Sequence, residues 1–327
     1  MKIRERFAVG TSALANAAMA GARALGAERN LTGRPRPASF PFVSGDTFRS
    51  IADYVFDIAT MREIDGNRVP IPDYPHVPSV VFVEFNVLDG ERWRTMVSDW
   101  IGSASRGLSG NVIVATNGDR APRQLLEKWA DQGNAVFAHN SFDDFRGVTP
   151  IPIGLQNLSH KKSGVLDDFL LYRDAILQGN EERFERKNLV FASFNISNRP
   201  DERGELARLL KDSPYQLENR RMSPREFRRR LLTSRFVLSP PGAGPDCHRT
   251  WEALLLGAVP VILRSSLAES LIEGTGILAV DSWGDFLDLP TEDLLSLWKE
   301  KRTYPLDKAQ FGYWLDRITR ARSSLET

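Results

Sequence analysis

Residues 235–263 of this chain, RFVLSPPGAGPDCHRTWEALLLGAVPVIL, decide its predicted fold class. The apolar run at 236–239 predicts a strand, the glycines and prolines after it predict a loop, and a helix is expected up to about Leu256. Gly257 ends that helix, and the apolar residues 258–263 predict a second strand immediately afterwards. A strand, loop, helix and strand in this order form a β-α-β unit, which indicates a parallel sheet and an α/β protein.

The loop and the helix start of this unit carry groups that suit a bound anion. Gly242 and Gly244 let the backbone approach a ligand closely, and Asp246 occupies the expected N-cap of the helix. The free amides of the first helical turn, together with the helix dipole, favour a diphosphate. Arg249 can add a bidentate phosphate contact, and Glu252, three residues later on the same helix face, can accept hydrogen bonds from two ribose hydroxyls. The same residues also fit an ordinary packing loop followed by a helical ion pair, and the spacing leaves that alternative open.

This loop differs from two common nucleotide-binding loops. The dinucleotide fingerprint Gly-x-Gly-x-x-Gly requires a third glycine where this chain has Cys247. A P-loop requires Gly-Lys-Ser or Gly-Lys-Thr, which does not follow here. A Rossmann-type oxidoreductase is therefore the weakest of the functional alternatives.

The alternation of strands and helices continues on both sides of this unit. Ser223 and Pro224 suit the N-cap and first turn of one of the helices. The predicted strands are 79–85, 111–115, 134–138, 150–154, 188–194, 236–239, 258–263 and 276–280. The predicted helices are 46–62, 90–104, 122–132, 166–178, 200–210, 223–234, 291–302 and 306–323, besides the one that ends near Leu256. We expect two successive α/β halves that divide near 156–185, with helices on both faces of each parallel sheet.

Length and composition exclude several classes of protein. The 327 residues predict about two domains. With 43 Lys and Arg against 42 Asp and Glu, the net charge of +1 argues against a nucleic-acid partner. The single cysteine excludes an internal disulfide and a Cys-x-x-Cys zinc site, and the four histidines are scattered, so no metal site is expected. The sequence has no apolar stretch of about 20 residues that could span a membrane.

The N-terminal segment is the least determined part of the chain. It is basic and then alanine-rich, which favours an amphipathic surface helix or loose arm. A signal-like segment and a packed helix stay open as alternatives. We predict an arm at 1–35, a first Rossmann-like domain at 36–160, a second Rossmann-like domain at 161–305, and a C-terminal helix at 306–327 that can pack back on the first domain.

Residues 235–263 resemble the nucleotide-sugar half of exostosin-like glycosyltransferases, glycosyltransferase family 47. That half contains a strand, Pro-x-Gly, Arg-x-x-Glu-Ala and Gly-x-x-Pro-Val-Ile. The matching positions here are Ser239, Pro240, Pro241, Gly242, Asp246, Arg249, Glu252, Ala253 and 257–262. Weaker similarity extends to 137–155 and to 191–203, so the resemblance covers about 137–263.

The resemblance implies a GT-B fold, in which two Rossmann-like domains face a cleft and the second binds the donor. It implies an enzyme, a hexosyl- or pentosyltransferase, that moves a sugar from a nucleoside diphosphate sugar to a glycan or glycoconjugate acceptor. Inversion at the anomeric carbon is expected, with no cofactor. The acids Asp143 and Asp144 are adjacent rather than spaced as Asp-x-Asp, so we expect transfer without a metal ion, with Arg249 and backbone amides handling the charge.

The resemblance also assigns roles to single residues. Arg249 would neutralise the diphosphate, and Glu252 would hold the ribose. Arg199 and Arg203 lie after the first strand of the second half, so one of them could reach the phosphates, or both could form a solvated helix start. The expected donor-binding residues are Pro241, Gly242, Gly244, Asp246, Arg249, Glu252, Arg199 and Arg203.

Inversion requires a base that takes the proton of the acceptor hydroxyl, and by analogy the base lies in the first half. The candidates at strand ends are Glu84, Asp119, His139, Asp143 and Asp144. No pattern in the sequence singles out one of them. The predicted catalytic set combines Asp119 and Glu84 with Arg249 and Glu252.

Seven arginines crowd residues 220–235, which contain one acid, Glu226. They form either a solvated helix flank or an edge that attracts lipid headgroups or an acidic glycan. The second alternative predicts peripheral membrane contact of an otherwise cytoplasmic protein. Because no base is obvious, a non-catalytic module that binds a sugar nucleotide or a glycan is the main alternative to an enzyme.

Overall fold

A computed structural model describes residues 36–158, 160, 165–178, 180 and 184–327. The predicted N-terminal arm at 1–35 lies outside the described residues. Among those described, no helix is long and apolar enough to cross a membrane. The chain forms two parallel sheets with a cleft between them, which confirms the predicted α/β class and its two halves.

Within 36–158, five parallel strands form the first sheet, in the same order across the sheet as along the chain. The strands are β1 (Tyr54–Phe56), β2 (Val80–Glu84), β3 (Val112–Thr116), β4 (Ala135–Ala138) and β5 (Val148–Pro150). The helices are α1 (Gly45–Arg49), α2 (Ile58–Asp65), α3 (Glu91–Ile101) and α4 (Arg123–Asp131). Because the strands are parallel, the loops after their carboxyl ends meet at one edge.

Both faces of this sheet are buried, because successive strand residues point to opposite sides. On one face, Val83 shares a core with Trp100 of α3 and Trp129 of α4. On the other face, Phe82 belongs to a core that continues into the second half and includes Trp251. The two halves therefore share apolar packing and are not joined by a linker alone.

Within 184–280, four parallel strands form the second sheet, again in chain order. The strands are β6 (Asn188–Ala192), β7 (Ser234–Leu238), β8 (Val259–Leu263) and β9 (Leu278–Val280). The helices from residue 167 onwards are α5 (Asp167–Gln178), α6 (Pro200–Lys211), α7 (Pro224–Leu232), α8 (His248–Leu255), α9 (Glu269–Ile272), α10 (Trp283–Leu287), α11 (Thr291–Lys301) and α12 (Phe311–Leu325).

A parallel bridge between Ala192 and Leu217 extends the second sheet beyond β6. In the same pairing, the backbone N–H of Glu218 donates to the carbonyl of Ala192 at 2.9 Å. The chain thus leaves β6, forms the bridge on one side, and returns to form β7 on the other side. Ligands of open α/β sheets bind outside the carboxyl ends of the strands at such a reversal. A ligand crevice is therefore expected beside the residues that follow Ala192, Leu217 and Leu238.

The helix predicted at 46–62 is wrong. The chain forms α1, then β1, then α2 over this range. Strand β1 has three residues, and its pairing partner is distant in sequence, with Val55 opposite Phe82. A strand this short has too few residues to show alternation, so pairing with β2 determines it.

The strand predicted at 150–154 is displaced, because β5 ends at Pro150. The next residues cross to the second half. The backbone N–H of Ile153 donates to Asp246 Oδ2 at 2.9 Å, and His248 Nδ1 lies 2.8 Å from the carbonyl oxygen of Gly154. The apolar run therefore serves as a crossing between the halves.

Helix α12 packs on the first half. The ring of Phe311 lies edge-on to Phe40 and Phe48, with centroid distances of 5.4 and 5.5 Å. Near the other end of the helix, Arg322 Nη1 lies 3.4 Å from Asp53 Oδ2. The end of the chain thus helps to hold the two halves together.

Candidate active site

A cavity of about 740 Å³ lies between the two halves, in the crevice that the strand reversal creates. The second half supplies the loops after β6, after the Leu217 bridge and after β7, together with the first turn of α8. The first half supplies Asp119, Ile153 and Gln156. A volume of this size is typical of a small-molecule site.

Arg249 and Glu252 project from α8 into this cavity. The Nε and Nη1 atoms of Arg249 are buried without a hydrogen-bond partner in the described structure. The side chains of these two residues form no salt bridge with each other among the described residues, so the alternative of a helical ion pair is wrong. Two buried donors without partners are costly unless a ligand satisfies them, and a cationic fork suits a phosphate.

Glu252 is a buried carboxyl group between two arginines. Burial raises its pKa, and the charges of Arg249 and Arg228 oppose that rise. Arg228 is itself buried, and its Nε donates to Asp168 Oδ2 at 2.6 Å, which fixes its orientation. Glu252 therefore presents hydrogen-bond acceptors at the cavity wall.

Asp246 is not the N-cap of α8. The N-cap is Cys247, which makes no side-chain capping bond. The Asp246 carboxylate is buried and accepts hydrogen bonds from the backbone N–H of Ile153 and from Trp251 Nε1, both at 2.9 Å. Its own backbone N–H donates to Asn140 Oδ1 at 3.1 Å. Although it borders the cavity, Asp246 ties the loop after β7 to the first half rather than capping a helix.

Asp246 predicts a measurable pH dependence of stability. Burial raises the pKa of Asp246 to about 7, although hydrogen bonds from Ile153, Trp251 and Cys247 act to lower it. The folded state therefore holds an extra proton between about pH 4 and pH 7, and the unfolding free energy falls as the pH rises through this range. The slope reaches at most about 1.4 kcal/mol per pH unit. Urea unfolding from pH 4.5 to 7.5 should show a flatter pH dependence in Asp246→Asn than in the wild type. Equal slopes in the two proteins would contradict this assignment.

The two glycines of the loop after β7 serve different purposes. A Cβ on Gly244 would lie 2.8 Å from Asn140 Nδ2 and 2.8 Å from the carbonyl oxygen of Asp119. A Cβ on Gly242 would meet nothing closer than 3.7 Å. Gly244 is therefore required for contact between the halves. It also lines the cavity, so its role in donor binding stays a prediction. Pro241 is buried and does not line the cavity.

Arg203 holds the loop after β7 in place through hydrogen bonds. It is buried on α6, and its guanidinium donates to three backbone carbonyls, those of Pro241 at 2.7 Å, Asn195 at 2.8 Å and Pro240 at 3.4 Å. Burial lowers its pKa to about 10, so it stays charged at neutral pH. With these donors engaged, Arg203 positions the loop and does not form a solvated helix start.

Arg199 is not among the residues that line the cavity. Its Nη1 lies 3.2 Å from Glu202 Oε1, three residues further along the chain, and its side chain is one-third exposed. Of the two predicted arginines, Arg203 lines the cavity with its guanidinium engaged by backbone carbonyls, whereas Arg199 does not line it.

The arginine-rich segment 220–235 faces several directions. Arg220, Arg221 and Arg228 line the cavity. Arg230 forms an ion pair with Glu218, and the Arg235 guanidinium lies over the ring of Trp298. The segment is therefore neither a uniform solvated flank nor a uniform anion-binding edge. Peripheral membrane contact and a cytoplasmic location stay predictions.

A second cavity of about 300 Å³ adjoins the first on the side of the first half. The two cavities share Asp119, Ile153, Gln156 and His248. The structure thus brings Asp119 and Glu84, the two candidate bases of the predicted catalytic set, to one space. The remaining lining residues are Arg36, Gly45, Glu84, Asn86, Asn117, Gly118, His139, Asn157 and His160.

The two candidate bases differ in their surroundings. Asp119 is exposed at the junction of the cavities, and no hydrogen bond to its carboxylate is found in the described structure. Glu84 is buried and accepts from the backbone N–H of Ile58 at 3.3 Å and from Asn86 Nδ2 at 3.4 Å. Burial raises the pKa of Glu84, and the nearby charge of Arg36 opposes the rise.

The other three candidate bases have different environments. Burial lowers the pKa of His139 to about 3, so it is a poor proton acceptor. Asp143 accepts a hydrogen bond from the backbone N–H of Ser270 at 3.0 Å, and Asp144 forms an ion pair with Arg123 at 2.7 Å. Asp143 and Asp144 line neither cavity and are engaged at the surface.

Several polar residues of the site were missed in the sequence. They are Gln156, Ser193, Asn195, Asn198 and Asn219. Each lies in a loop after a strand or after the Leu217 bridge, without a spacing that marks it. Their position after a predicted strand was the one available signal, and it does not separate them from other loop residues. Among the described residues, no group of three or more His, Cys, Asp or Glu could hold a metal ion.

Residues 167–303 match the model of one protein family, the Exostosin GT47 domain. This range extends from α5 to α11 and contains Arg203, Arg249 and Glu252. The match confirms the resemblance to exostosin-like glycosyltransferases, and with it the glycosyltransferase class of enzyme. Two parallel-sheet halves that face a cleft are the GT-B arrangement which that resemblance implied. Among curated proteins, none matches the chain significantly.

Similar solved structures include an alpha-glucosyltransferase in complex with UDP and a 13-mer DNA containing a HMU base. It is 13% identical, with 73% of this chain and 80% of that chain covered and a TM-score of 0.35. Another is an alpha,alpha-trehalose-phosphate synthase (UDP-forming) from Burkholderia vietnamiensis, which is 12% identical, with 81% and 73% covered and a TM-score of 0.35. Scores this low do not carry either protein's activity over to this chain.

Proposed function

We propose that this glycosyltransferase moves a sugar from a nucleoside diphosphate sugar to a hydroxyl of a glycan or glycoconjugate acceptor, with inversion and without a metal ion. The observation that carries the proposal is Arg249. It lines a cavity of about 740 Å³, and two of its buried donors have no partner in the described structure. The buried carboxyl group of Glu252 lies one helical turn away. A diphosphate would satisfy the arginine, and the ribose hydroxyls would donate to Glu252.

Positive charge for the leaving group comes from the protein itself. Arg249 and Arg221 line the cavity, Arg220 lines it while paired with Glu226, and Arg228 stands beside Glu252. When the bond between the anomeric carbon and the phosphate oxygen breaks, its electron pair stays on the nucleoside diphosphate. Guanidinium groups held in place before the reaction can stabilise that charge. This supply of cations supports transfer without a metal ion.

Asp119 is the proposed base. The acceptor oxygen forms its bond to the anomeric carbon as the phosphate leaves, and the hydroxyl proton passes to the Asp119 carboxylate. Asp119 comes from the first half and Arg249 from the second half, so attack and departure can occur on opposite faces of the sugar, which gives inversion. A carboxylate at the junction of the two cavities, without a hydrogen bond from any described residue, suits this role better than Glu84 does.

A thermal-shift panel tests donor binding. The protein is heated with UDP, GDP, ADP, CDP and dTDP in turn, and with NAD as a comparison. One or more nucleoside diphosphates should raise the melting temperature, since a ligand at 100 times its Kd stabilises a protein by about 2.7 kcal/mol. Stabilisation by NAD alone would favour an oxidoreductase and would contradict the proposal that the cavity binds a nucleoside diphosphate sugar.

Asp119→Asn tests the base. Because the amide cannot take a proton, the variant should lose about 10²- to 10⁴-fold in transfer while its thermal shift with nucleoside diphosphate stays unchanged. Asp144→Asn is the matched control, since that exposed acid lines neither cavity. Transfer is measured as release of nucleoside diphosphate over a panel of glycan acceptors. An Asp119→Asn rate within about threefold of the wild type would rule out Asp119 as the base.

A further inference from the structure

His139 lines the second cavity and has a hydrogen-bond acceptor that no described residue uses. The ring is 2% exposed, lies 5.0 Å from the ring of Phe85, and is hydrogen-bonded to the backbone of Gly118. Burial keeps the ring neutral, because it lowers the pKa to about 3. One ring nitrogen therefore donates to Gly118, and the other, Nε2, carries a lone pair. Nε2 is buried and has no partner in the described structure, although its residue lines the cavity.

The second cavity offers no free cation to an anionic ligand among its described arginine and lysine residues. Its one arginine, Arg36, lies 3.2 Å from Asp57 Oδ2, 3.5 Å from Asp46 Oδ1 and 3.9 Å from Glu84 Oε2. Glu84 and Asp119 themselves line the cavity. A carboxylate, sulfate or phosphate group on a ligand would therefore meet like charges whose counter-ions are already engaged.

The remaining polar wall suits hydroxyl groups. Asn86, Asn117, Gln156 and Asn157 line it, and each amide can both donate and accept. Two of them are held in place, since Asn157 Nδ2 donates to Asn117 Oδ1 at 3.3 Å and Asn157 Oδ1 accepts from the backbone N–H of Asp46 at 2.9 Å. A volume of about 300 Å³ lies at the lower end of the range for ligand sites, which corresponds to a single ring rather than a chain.

We propose that the second cavity binds one uncharged sugar ring, the terminal unit of the acceptor, and that His139 Nε2 accepts a hydrogen bond from one of its hydroxyls. This proposal rests on the proposed function, because the ring would present another hydroxyl to Asp119 at the junction with the donor cavity. His139 is a specificity-determining residue here and not the base. The charges of the described lining residues disfavour an acidic sugar ring.

Saturation-transfer NMR on the full chain, with and without UDP, tests the proposal. The probes are the methyl β-glycosides of D-glucose, D-galactose, D-xylose and D-glucuronic acid. At least one neutral glycoside should bind, and the glucuronoside should bind at least about tenfold more weakly, which corresponds to about 1.4 kcal/mol. Asn86→Trp places an indole at the mouth of the cavity from an exposed position and should abolish binding. Asp89→Trp, also exposed but lining neither cavity, should leave binding unchanged.

His139→Phe separates a hydroxyl contact from a packing role. Phenylalanine keeps the ring but removes the acceptor nitrogen, so affinity should fall about three- to tenfold. Among monodeoxy derivatives of the best glycoside, one should bind weakly to the wild type and show no further loss in His139→Phe. Equal or tighter binding of the glucuronoside, or unchanged binding in Asn86→Trp, would overturn the proposal. The thermal shift with nucleoside diphosphates reports on the donor cavity separately. Loss of donor binding would therefore count against the proposed function and not against the acceptor site.

Discussion

Replacement of Arg249 by alanine should lower sugar transfer by about 10²- to 10³-fold, the effect of removing one preorganised donor to a developing anion. The same variant should lose most of its thermal shift with nucleoside diphosphate, because Nε and Nη1 would satisfy their hydrogen-bonding capacity on the ligand. Since these atoms have no partner in the described structure, their removal leaves no protein group unsatisfied. Stability without ligand should therefore change little, and circular dichroism and melting without nucleotide would check this.

Two further variants test the prediction for Arg249→Ala more specifically. Arg249→Lys keeps the charge but loses the planar fork, so it should recover only part of the activity. Arg225→Ala removes an exposed arginine of α7 that lines neither cavity, and it should transfer sugar like the wild type. If Arg249→Ala bound nucleoside diphosphate as tightly as Arg225→Ala does, the donor phosphates would have to bind elsewhere.

The features predicted correctly from the sequence are those that depend on neighbouring residues. The β-α-β unit at 235–263 appears as β7, α8 and β8, and Ser223 caps α7 by accepting a hydrogen bond from the backbone N–H of Glu226. Caps, turns and apolar runs are local, so a single sequence contains their cause. Strand β1 was missed because its three residues become a strand only by pairing with β2, which lies 27 residues further along the chain at Tyr54 and Val81.

The site was predicted in part for the same reason. Arg249 and Glu252 lie on one helix, and their spacing already places both on one face. Asn195, Asn219 and Gln156 come from three separate loops, and only the order of the strands brings them together. A sequence shows which residues are polar or charged but not which partners use up their hydrogen bonds.

Asp246 and Arg203 illustrate that limit. Both have the charge that a phosphate or helix-capping role would require. In the fold, however, the carboxylate of Asp246 is used by Ile153 and Trp251, and the guanidinium of Arg203 is used by backbone carbonyls. These contacts join residues separated by up to 93 positions, so no local pattern could have indicated them. Charged residues next to a binding loop can therefore shape the loop instead of touching its ligand.

Arg203→Met should destabilise the protein by about 3–5 kcal/mol, the cost of breaking a buried charged group away from its partners. Methionine retains much of the apolar volume but leaves the carbonyls of Pro241 and Asn195 without their donor in the protein interior. The loop after β7 should then lose its fixed position, and affinity for nucleoside diphosphate should fall because that loop lines the donor cavity. Urea unfolding measures the first effect, and calorimetry below the unfolding transition measures the second.

Arg199→Met is the matched control, because it removes an arginine four residues earlier whose guanidinium pairs with Glu202 at the surface. Its cost should stay below about 1 kcal/mol. Arg203→Lys should rescue little, since one ammonium group cannot reproduce donation from three nitrogen atoms of a fixed fork. If Arg203→Met were as stable as Arg199→Met yet bound nucleoside diphosphate more weakly, Arg203 would instead be a ligand contact. Destabilisation of Arg203→Met with parallel loss of donor binding, and neither effect in Arg199→Met, is the pattern expected of a residue that holds the donor loop in place.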